Sequence, residues 1–457
     1  MNFLYNILPN FIQNGLVSAY NFLAYNKRYS HNYTKLKSQF KKNETLSLKE
    51  LRNIQNKRLE DFLVFASNYS HYFRDILIND DTGMLKPLNL VPILTKETLR
   101  LNLQKIKTLS NNEGIMSKTG GTTGKALEVI YTKKDMQERF AMLDNFRSKY
   151  GYELGEKTAW FSGKSILTNR DIKKKRFWKT DYLYNVRYYS TFHLSRENLS
   201  EYLEDLMNFK PQYLVGFPSS IVEIARFGNK SKIDFPKNVI KAIFPTAETI
   251  TSEVRYDIES FFQTKMYNQY ASSEGAPFIF ECDNGKLHLE LQSGVFEVLD
   301  NYDIPTRSGR LVVTSFTTHG TPLIRYDIGD SISLEDESVK CDCGNNNPIV
   351  KEILGRIDDF IYSPKNGKIN LGNVSNTLKG TKGIIKFQVV QNSLRSLAIN
   401  LVIDEKVFNN KFKLKFINNW IDRVGNEMEI KINIVDDIPV EESGKFRMVK
   451  NNIKNLL

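Results

Sequence analysis

The stretch Ser117-Lys118-Thr119-Gly120-Gly121-Thr122-Thr123-Gly124-Lys125 gathers glycines, hydroxyls and lysines in one short loop. Glycine lets backbone N–H groups approach a ligand closely, and hydroxyls and amides can surround phosphate oxygens, so the loop suits a polyanion. Its spacing is not that of a Walker A loop. Gly120 and Gly124 are too close together, and Ala126 stands where a magnesium-binding Ser or Thr would be. Nor is it a G-x-G-x-x-G turn. Leu127, Val129 and Tyr131 alternate directly after it, which predicts strand, loop, strand, with no helix opening beneath the phosphates. By itself, such a loop also reads as an ordinary hairpin turn.

A second group of chemically capable residues lies downstream. The chain has three cysteines, Cys282, Cys341 and Cys343, and His288 follows the first of them at a short step. Cys341-Asp342-Cys343-Gly344 is a compact ligand pair, and adding Cys282 and His288 completes a tetrahedral Cys₃His zinc set. Four protein ligands leave no open position, so the zinc would be structural. Scattered buried thiols are the alternative, and a disulfide is disfavoured in a reducing compartment. None of the five histidines accompanies a nucleophile-elbow sequence, so serine or cysteine nucleophile chemistry is not indicated. His193 and His319 could line a pocket, although satisfied structural roles are commoner for histidine.

These residues need a scaffold, and the chain reads as α/β. Helices are predicted over 46–79 and 133–150, the second closed by Gly151 and Gly155. Short β-rich runs at 213–216, 239–244, 266–271 and 310–316 alternate with helical stretches near 196–209, 219–228 and 251–263. After Gly355 the pattern restarts. Leu397, Ile399, Leu401 and Ile403 alternate along one strand, and Met428, Ile430, Ile432 and Ile434 along another. Between them Phe408, Phe412, Phe416, Trp420 and Val424 form a helical stripe that stops at Gly425. The expectation is a large α/β domain over residues 1–354 and a small α/β domain over 355–457, with no internal repeat.

The 41% hydrophobic content is enough for large cores, and the net charge is +12. No window of about eighteen apolar residues and no secretory signal are apparent, so a cytoplasmic protein is expected. Ten of the Lys/Arg residues fall in residues 1–60, against Glu44, Glu50 and Glu60. Neither a zinc-finger spacing nor an aromatic–basic RNA motif accompanies that charge, so nucleic acid is not the expected partner. Residues 1–26 carry no charge, yet Phe3, Leu4, Ile7, Leu8, Phe11, Ile12, Leu16, Ala19, Tyr20 and Leu23 recur at helical spacing, with Pro9 starting or kinking the helix. Such a stripe usually packs on the protein's own core; the alternative is peripheral contact with an anionic membrane.

The glycine-rich loop resembles the phosphate-binding signature of the adenylate-forming superfamily of acyl-CoA synthetases, and further motifs follow in that family's order. Tyr270-Ala271-Ser272-Ser273-Glu274 resembles its Tyr-Gly-x-Ser/Thr-Glu motif. The segment 323–330, ending in Gly329-Asp330, resembles another; Gly355-Arg356-Ile357-Asp358-Asp359 resembles the hinge, and Ser443-Gly444-Lys445-Phe446-Arg447 the C-terminal lysine motif. Phe217-Pro218-Ser219-Ser220 and Pro245-Thr246-Ala247-Glu248 are similar to the phenylacetate–CoA ligase branch, particularly its relatives found with capsular polysaccharide genes.

The resemblance implies an adenylate-forming fold whose small C-terminal domain rotates about Asp358. It also implies activation of a carboxylic acid by ATP to an acyl-adenylate, followed by acyl transfer to CoA or, alternatively, to an amine, for instance in surface-polysaccharide synthesis. Ser117 with Thr119, Gly120, Gly121, Thr122, Thr123, Gly124 and Lys125 would hold phosphates, and Glu274 would coordinate Mg²⁺ beside Ser273. Tyr270 would stack on adenine and Asp330 accept from the ribose, with Arg356 beside it and Glu248 also on the nucleotide side. Lys445 would neutralise the α-phosphate and the attacking carboxylate, while Phe217, Pro218, Ser219 and Pro245 border the acid. Family members are often dimers, which leaves a homodimer open, and a non-catalytic nucleotide-binding subunit is the reading from another class. Three departures stand out: Ala271 in place of glycine, Asp327 at an often polar or basic position, and a divergent segment 363–370 after the hinge, on the side that faces the acceptor.

Overall fold

The computed structural model describes residues 2–30, 32–79, 82–118, 127–356, 360–370, 374, 376–378, 380–441 and 446–453. Thr119, Gly120, Gly121, Thr122, Thr123, Gly124, Lys125, Asp358 and Lys445 lie outside the described residues, as does the side chain of Arg356.

Residues 115–131 show the expected strand, loop, strand order. Ile115–Lys118 pairs antiparallel with Glu128–Tyr131, and Lys118 faces Glu128 at the last rung before the loop. The alternation after the loop buries Leu127, Val129 and Tyr131. In the predicted 46–79 helix, Ser70 takes extended backbone and ends Leu48–Tyr69, then caps His71–Leu77 by accepting from the Phe73 N–H. A side-chain oxygen that offers the next turn a cap favours two helices over one.

Two sheets dominate the first 356 residues. In the five-stranded sheet Thr158–Ser162, Val186–Ser190, Tyr213–Gly216 and Ala242–Pro245 are parallel, and Trp178–Asp181 is an antiparallel edge. The helices Leu199–Phe209, Pro218–Lys230 and Ser252–Phe262 share its core through Leu203, Ile224 and Phe261. The seven-stranded sheet is antiparallel and runs from Gly294–Leu299 at one edge to Gln269–Tyr270 at the other. Its core includes Phe62 and Leu63 from the Leu48–Tyr69 helix.

The C-terminal sheet orders Glu429–Ile434, Ser396–Ile403, Ile384–Ser393 and Val449–Asn451, with a central antiparallel hairpin and parallel pairs at both edges. The alternating face is buried at Leu397, Ile399 and Leu401. The Asn410–Val424 helix lays Phe416, Trp420 and Val424 on that core and stops at Gly425, as its stripe predicts. Fully burying Trp420 and Phe416 contributes roughly 2–3 kcal/mol each.

The N-terminal segment departs from the commoner reading. It forms two helices, Asn2–Ile7 and Asn10–Arg28, separated at Pro9. The longer one buries Gln13, Asn14, Ser18 and Asn21 in place of its apolar stripe. Polar partners on the edge strand account for this: Asn21 donates to Asp181 Oδ2 at 2.7 Å, Asn14 to Tyr182 Oη at 3.0 Å, and Lys179 donates to Gln13 and, at 2.8 Å, to Asn10.

The buried Lys179 ammonium also lies 2.7 Å from Asp171, whose carboxylate accepts from Arg176 and caps its own helix with Thr168. Burial alone would raise the Asp171 carboxyl, but Lys179, Thr168 and Arg176 hold it down at about 2. Its stabilisation is therefore present above the unfolded pKa near 4 and is lost as pH falls toward about 2. Asp171→Asn is expected to lower stability at neutral pH by about 3 kcal/mol, because Lys179 is left buried without its counter-charge. Urea denaturation of the variant should also lack roughly 2 kcal/mol of the wild-type loss below about pH 4. An equal acid slope in both proteins would remove Asp171 from the account.

Candidate active site

The parallel strands Tyr213–Gly216 and Ala242–Pro245 end in register, with Gly216 opposite Pro245. In open α/β sheets this carboxyl end is where ligands bind. Gly216 has φ +142°, and a Cβ there would fall 2.0 Å from the Phe161 carbonyl, so only glycine allows the strands to end this close together. Phe217 then leaves the strand and Pro218 opens the Pro218–Lys230 helix at a position where its missing N–H costs nothing. Ser219 follows, donating its N–H and hydroxyl to the two Glu248 oxygens at 3.0 and 2.9 Å. Glu248 comes from the turn after Pro245, where Ala247 has φ +66°. Its carboxylate also accepts the Phe446 N–H at 3.1 Å. The structure thus brings Phe217, Pro218, Ser219, Pro245 and Glu248 together and joins them to the C-terminal lysine motif.

The opening beside this contact is a cleft of about 230 Å³ whose walls include Thr191, Ser219, Glu223, Lys386, Asp437 and Phe446. Lys386 lies 2.6 Å from Glu223 and 3.1 Å from Asp437. Burial disfavours its charge, but the two carboxylates keep the amine above its ordinary pKa. Further ties join the C-terminal sheet to the helices of the parallel sheet: Arg226 pairs with Asp257 at 2.6 Å and donates to the Ile385 carbonyl, and Lys230 pairs with Asp404 at 2.8 Å. No sequence signal marked Glu223, Arg226 or Lys386, because a lysine or glutamate on a helix or strand reads as solvated until its partner is known.

The second constellation lies on the seven-stranded sheet. The Tyr270 hydroxyl donates to Asp330 Oδ2 at 2.6 Å, and Asp330 is the register partner of Arg356 on the neighbouring strand. Ser117 Oγ and Tyr131 Oη both donate to the Ser273 carbonyl, at 3.0 and 2.9 Å, tying the start of the glycine-rich loop to the Ser273-Glu274 turn. Gly275 closes that turn with φ +110°; a Cβ there would meet Tyr131 Oη at 2.8 Å. The buried Arg139 donates to the Gly275 and Ala276 carbonyls and to Thr317, locking the turn from below. Glu274 is nearly buried, with Lys96 Nζ 3.6 Å away. Ala271 has no positive φ, so the loss of glycine costs nothing there. Asp327 accepts from Arg310 on the neighbouring strand at 2.9 Å and from the Gly329 N–H at 3.0 Å, a role within its own sheet.

The cysteines and histidine converge. Their ligand atoms all lie within 4.8 Å of one another, with Cys282 Sγ 3.6 Å from Cys341 Sγ and Cys343 Sγ 3.5 Å from His288 Nε2. A tetrahedral zinc with bonds of about 2.3 Å to sulfur and about 2.0 Å to nitrogen requires edges of about 3.5–3.8 Å. The residues therefore fit zinc. His288 Nδ1 is 3.0 Å from the Asn347 carbonyl, an arrangement that puts the proton on Nδ1 and leaves Nε2 as donor to a metal. The thiols form no disulfide. His319, by contrast, sits 2.6 Å from Asp135 against Phe62 and Phe65, and His193 2.8 Å from Ser190, so both have structural partners.

Comparison with known proteins places this geometry. Residues 361–452 match the family described as the CapK C-terminal domain. The whole chain is similar to Protein CapK of Staphylococcus aureus, 35% identical over 99% of this chain and 100% of that protein. It is also similar to phenylacetate-coenzyme A ligase of Thermus thermophilus, 24% identical over 70% of this chain and 73% of that one. Among solved structures, 2-hydroxyisobutyryl-CoA ligase in the postadenylation state with R3-HIB-AMP aligns with a TM-score of 0.71 at 18% identity, covering 90% and 92% of the two chains. The same ligase in the thioesterification state with 2-HIB-AMP and CoA gives 0.56 at 19% identity, covering 90% and 92%. An acyl acid amido synthetase in complex with 2,4-DB gives 0.58 at 14% identity, covering 89% and 90%. The fold is that of the adenylate-forming enzymes.

Proposed function

Because the chain belongs to the CapK branch of the adenylate-forming superfamily, we propose that it activates a carboxylic acid with ATP and passes the acyl group to CoA. A carboxylate oxygen of the acid bonds to the α-phosphorus while the bond to the pyrophosphate oxygen breaks, giving acyl-AMP and pyrophosphate. The thiol sulfur then attacks the acyl carbonyl, AMP departs, and the thiol proton goes to solvent. The observation that carries the reading is the Phe446 N–H on Glu248, one residue after Lys445. It holds Phe446 beside the strand ends that carry Phe217, Pro218, Ser219 and Pro245, and Lys445, the residue before it, would there be the cation that meets both the α-phosphate and the acid.

The two ligase comparisons support the same state. The higher score against the postadenylation form than against the thioesterification form agrees with a C-terminal unit, residues 355–457, docked for adenylation and turning about Asp358 for transfer. Asp330 would hold the ribose once Tyr270 releases it to stack on adenine, and Arg356 would assist. The loop from Ser117 to Lys125 would hold the phosphates, with Mg²⁺ held by Glu274 and neutralising their charge. Cys282, His288, Cys341 and Cys343 would hold a structural zinc at one end of the Ile349–Arg356 strand, whose other end sets Arg356 beside Asp330. Transfer to an amine is the second reading, favoured by the divergent segment 363–370 and the likeness to the amido synthetase.

Pyrophosphate exchange into ATP, screened over aryl, acyl, amino and uronic acids, tests the first half-reaction. One acid should support exchange, and Lys445→Ala should reduce it at least ~100-fold. Exchange with no acid, or exchange indifferent to Lys445, would sink adenylation. With the active acid in hand, thioester formed from CoA against amide formed from amines decides the acceptor.

A further inference from the structure

The Asn10–Arg28 helix is docked with its polarity inverted. Its buried side is Gln13, Asn14, Ser18 and Asn21, each hydrogen-bonded, with Tyr25 packed on Tyr184 toward its end. Its outer side is apolar: Phe11, Leu16, Tyr20 and Leu23 are 67%, 47%, 71% and 65% exposed, with Ile7 and Phe22 close to half exposed beside them. At about 100° per residue, positions 11, 15, 16, 19, 20, 22 and 23 fill one half of the helix surface. Tyr182 and Leu183, at the turn against which the helix packs, are 58% and 60% exposed. Soluble proteins seldom leave an apolar surface of this kind in water.

The polar partners on the edge strand fix the inner side of the helix and leave its apolar side exposed. The surroundings say what covers it. The first acidic residue of the chain is Glu44, and Lys27, Lys35, Lys41 and Lys42 are exposed ahead of it, while Lys37 pairs with Glu153 and Arg28 packs over Tyr25 and Phe140. At the other end of the helix, Asn10 and Gln13 meet Lys179, which joins them to Asp171, and the exposed Arg170, Lys173 and Lys174 flank that residue.

We propose that this helix rests the protein on an anionic lipid surface, its apolar half in the headgroup boundary and the basic residues at both ends against lipid phosphates. A convex, uncharged helix face with cationic ends is matched by a flat apolar layer under negative charge. A second copy of the chain is a poor match, since each would bring its own basic rim and a net charge of +12 to the contact. The helix lies on the membrane and does not cross it, as no described helix is long and apolar enough to span one.

Flotation of the full-length protein with vesicles of phosphatidylglycerol and phosphatidylcholine, against phosphatidylcholine alone, tests this. The wild type should float with the anionic vesicles and less so at high salt. The triple variant Phe11→Ser, Tyr20→Ser, Leu23→Ser should float at least ~10-fold less while keeping the wild-type circular dichroism, since the buried face is untouched. Failure of the wild type to float, or equal flotation of the variant, overturns the proposal. So does a wild-type dimer that light scattering shows becoming monomeric in the variant without any vesicle binding, which would assign the face to a second copy.

Discussion

Glu274→Gln is expected to reduce acid-dependent pyrophosphate exchange on the order of 100-fold while leaving the melting temperature within about 3 °C of wild type. The substitution keeps shape and removes only charge. Glu274 sits on a turn that does not depend on it: Ser272 accepts the Gly275 and Ala276 N–H groups, and Arg139 holds the carbonyls. Its charge is nonetheless felt nearby. Burial raises the Tyr131 phenol to about 12, with Arg139 opposing and Glu274 adding to the shift. The Glu274 carboxylate is nearly buried on the turn that Ser117 holds, with Lys96 at 3.6 Å. Exchange within about threefold of wild type would show that this carboxylate does not serve the nucleotide's metal.

Cys343→Ser is expected to lose close to one equivalent of zinc per chain and to lower stability by about 4 kcal/mol, a fall in melting temperature on the order of 10 °C. The site ties the turn after Ile279–Glu281 to the loop before Ile349–Arg356, two segments 59 residues apart. Without the metal, three thiols and an imidazole share a space where they are only weakly bonded to one another. Burial already raises the Cys343 thiol to about 12. Activity should fall as well, because the same strand carries Arg356 to Asp330. Less than about half an equivalent of zinc in wild type, with the variant equally stable, would leave a cluster of free thiols.

Candidate residues could be picked out along the chain because phosphate and acyl chemistry demand particular residue types, although Thr119 to Lys125, Asp358 and Lys445 lie outside the described residues. A glycine-rich loop needs glycine, a metal-holding turn needs a carboxylate, and a tetrahedral zinc needs soft ligands in fours. Local periodicity was readable in part: Leu397, Ile399 and Leu401 of one strand and Phe416, Trp420 and Val424 of the helical stripe are core, while Phe408 precedes the helix and Ile434, on the other alternating strand, is exposed. What lay beyond reading were pairings between distant residues whose types carry no local signal. Arg139 was one polar residue of a predicted helix until Gly275, Ala276 and Thr317 surrounded it. Glu223 and Lys386 became a tie between the C-terminal sheet and a helix only in three dimensions.

The N-terminal helix divides the two kinds of information most clearly. Sequence alone determined that residues 1–26 are uncharged and two-faced at helical spacing, with Pro9 starting or kinking the helix, since 3.6-residue spacing and composition are local properties. Which face turns inward was decided by Lys179, Asp181, Tyr182 and Tyr188, about 160 residues away. Apolar side chains gain from burial against anything apolar, but a polar side chain is buried only where a specific partner waits. That partner is set by tertiary structure, and here it turned Phe11, Leu16, Tyr20 and Leu23 outward.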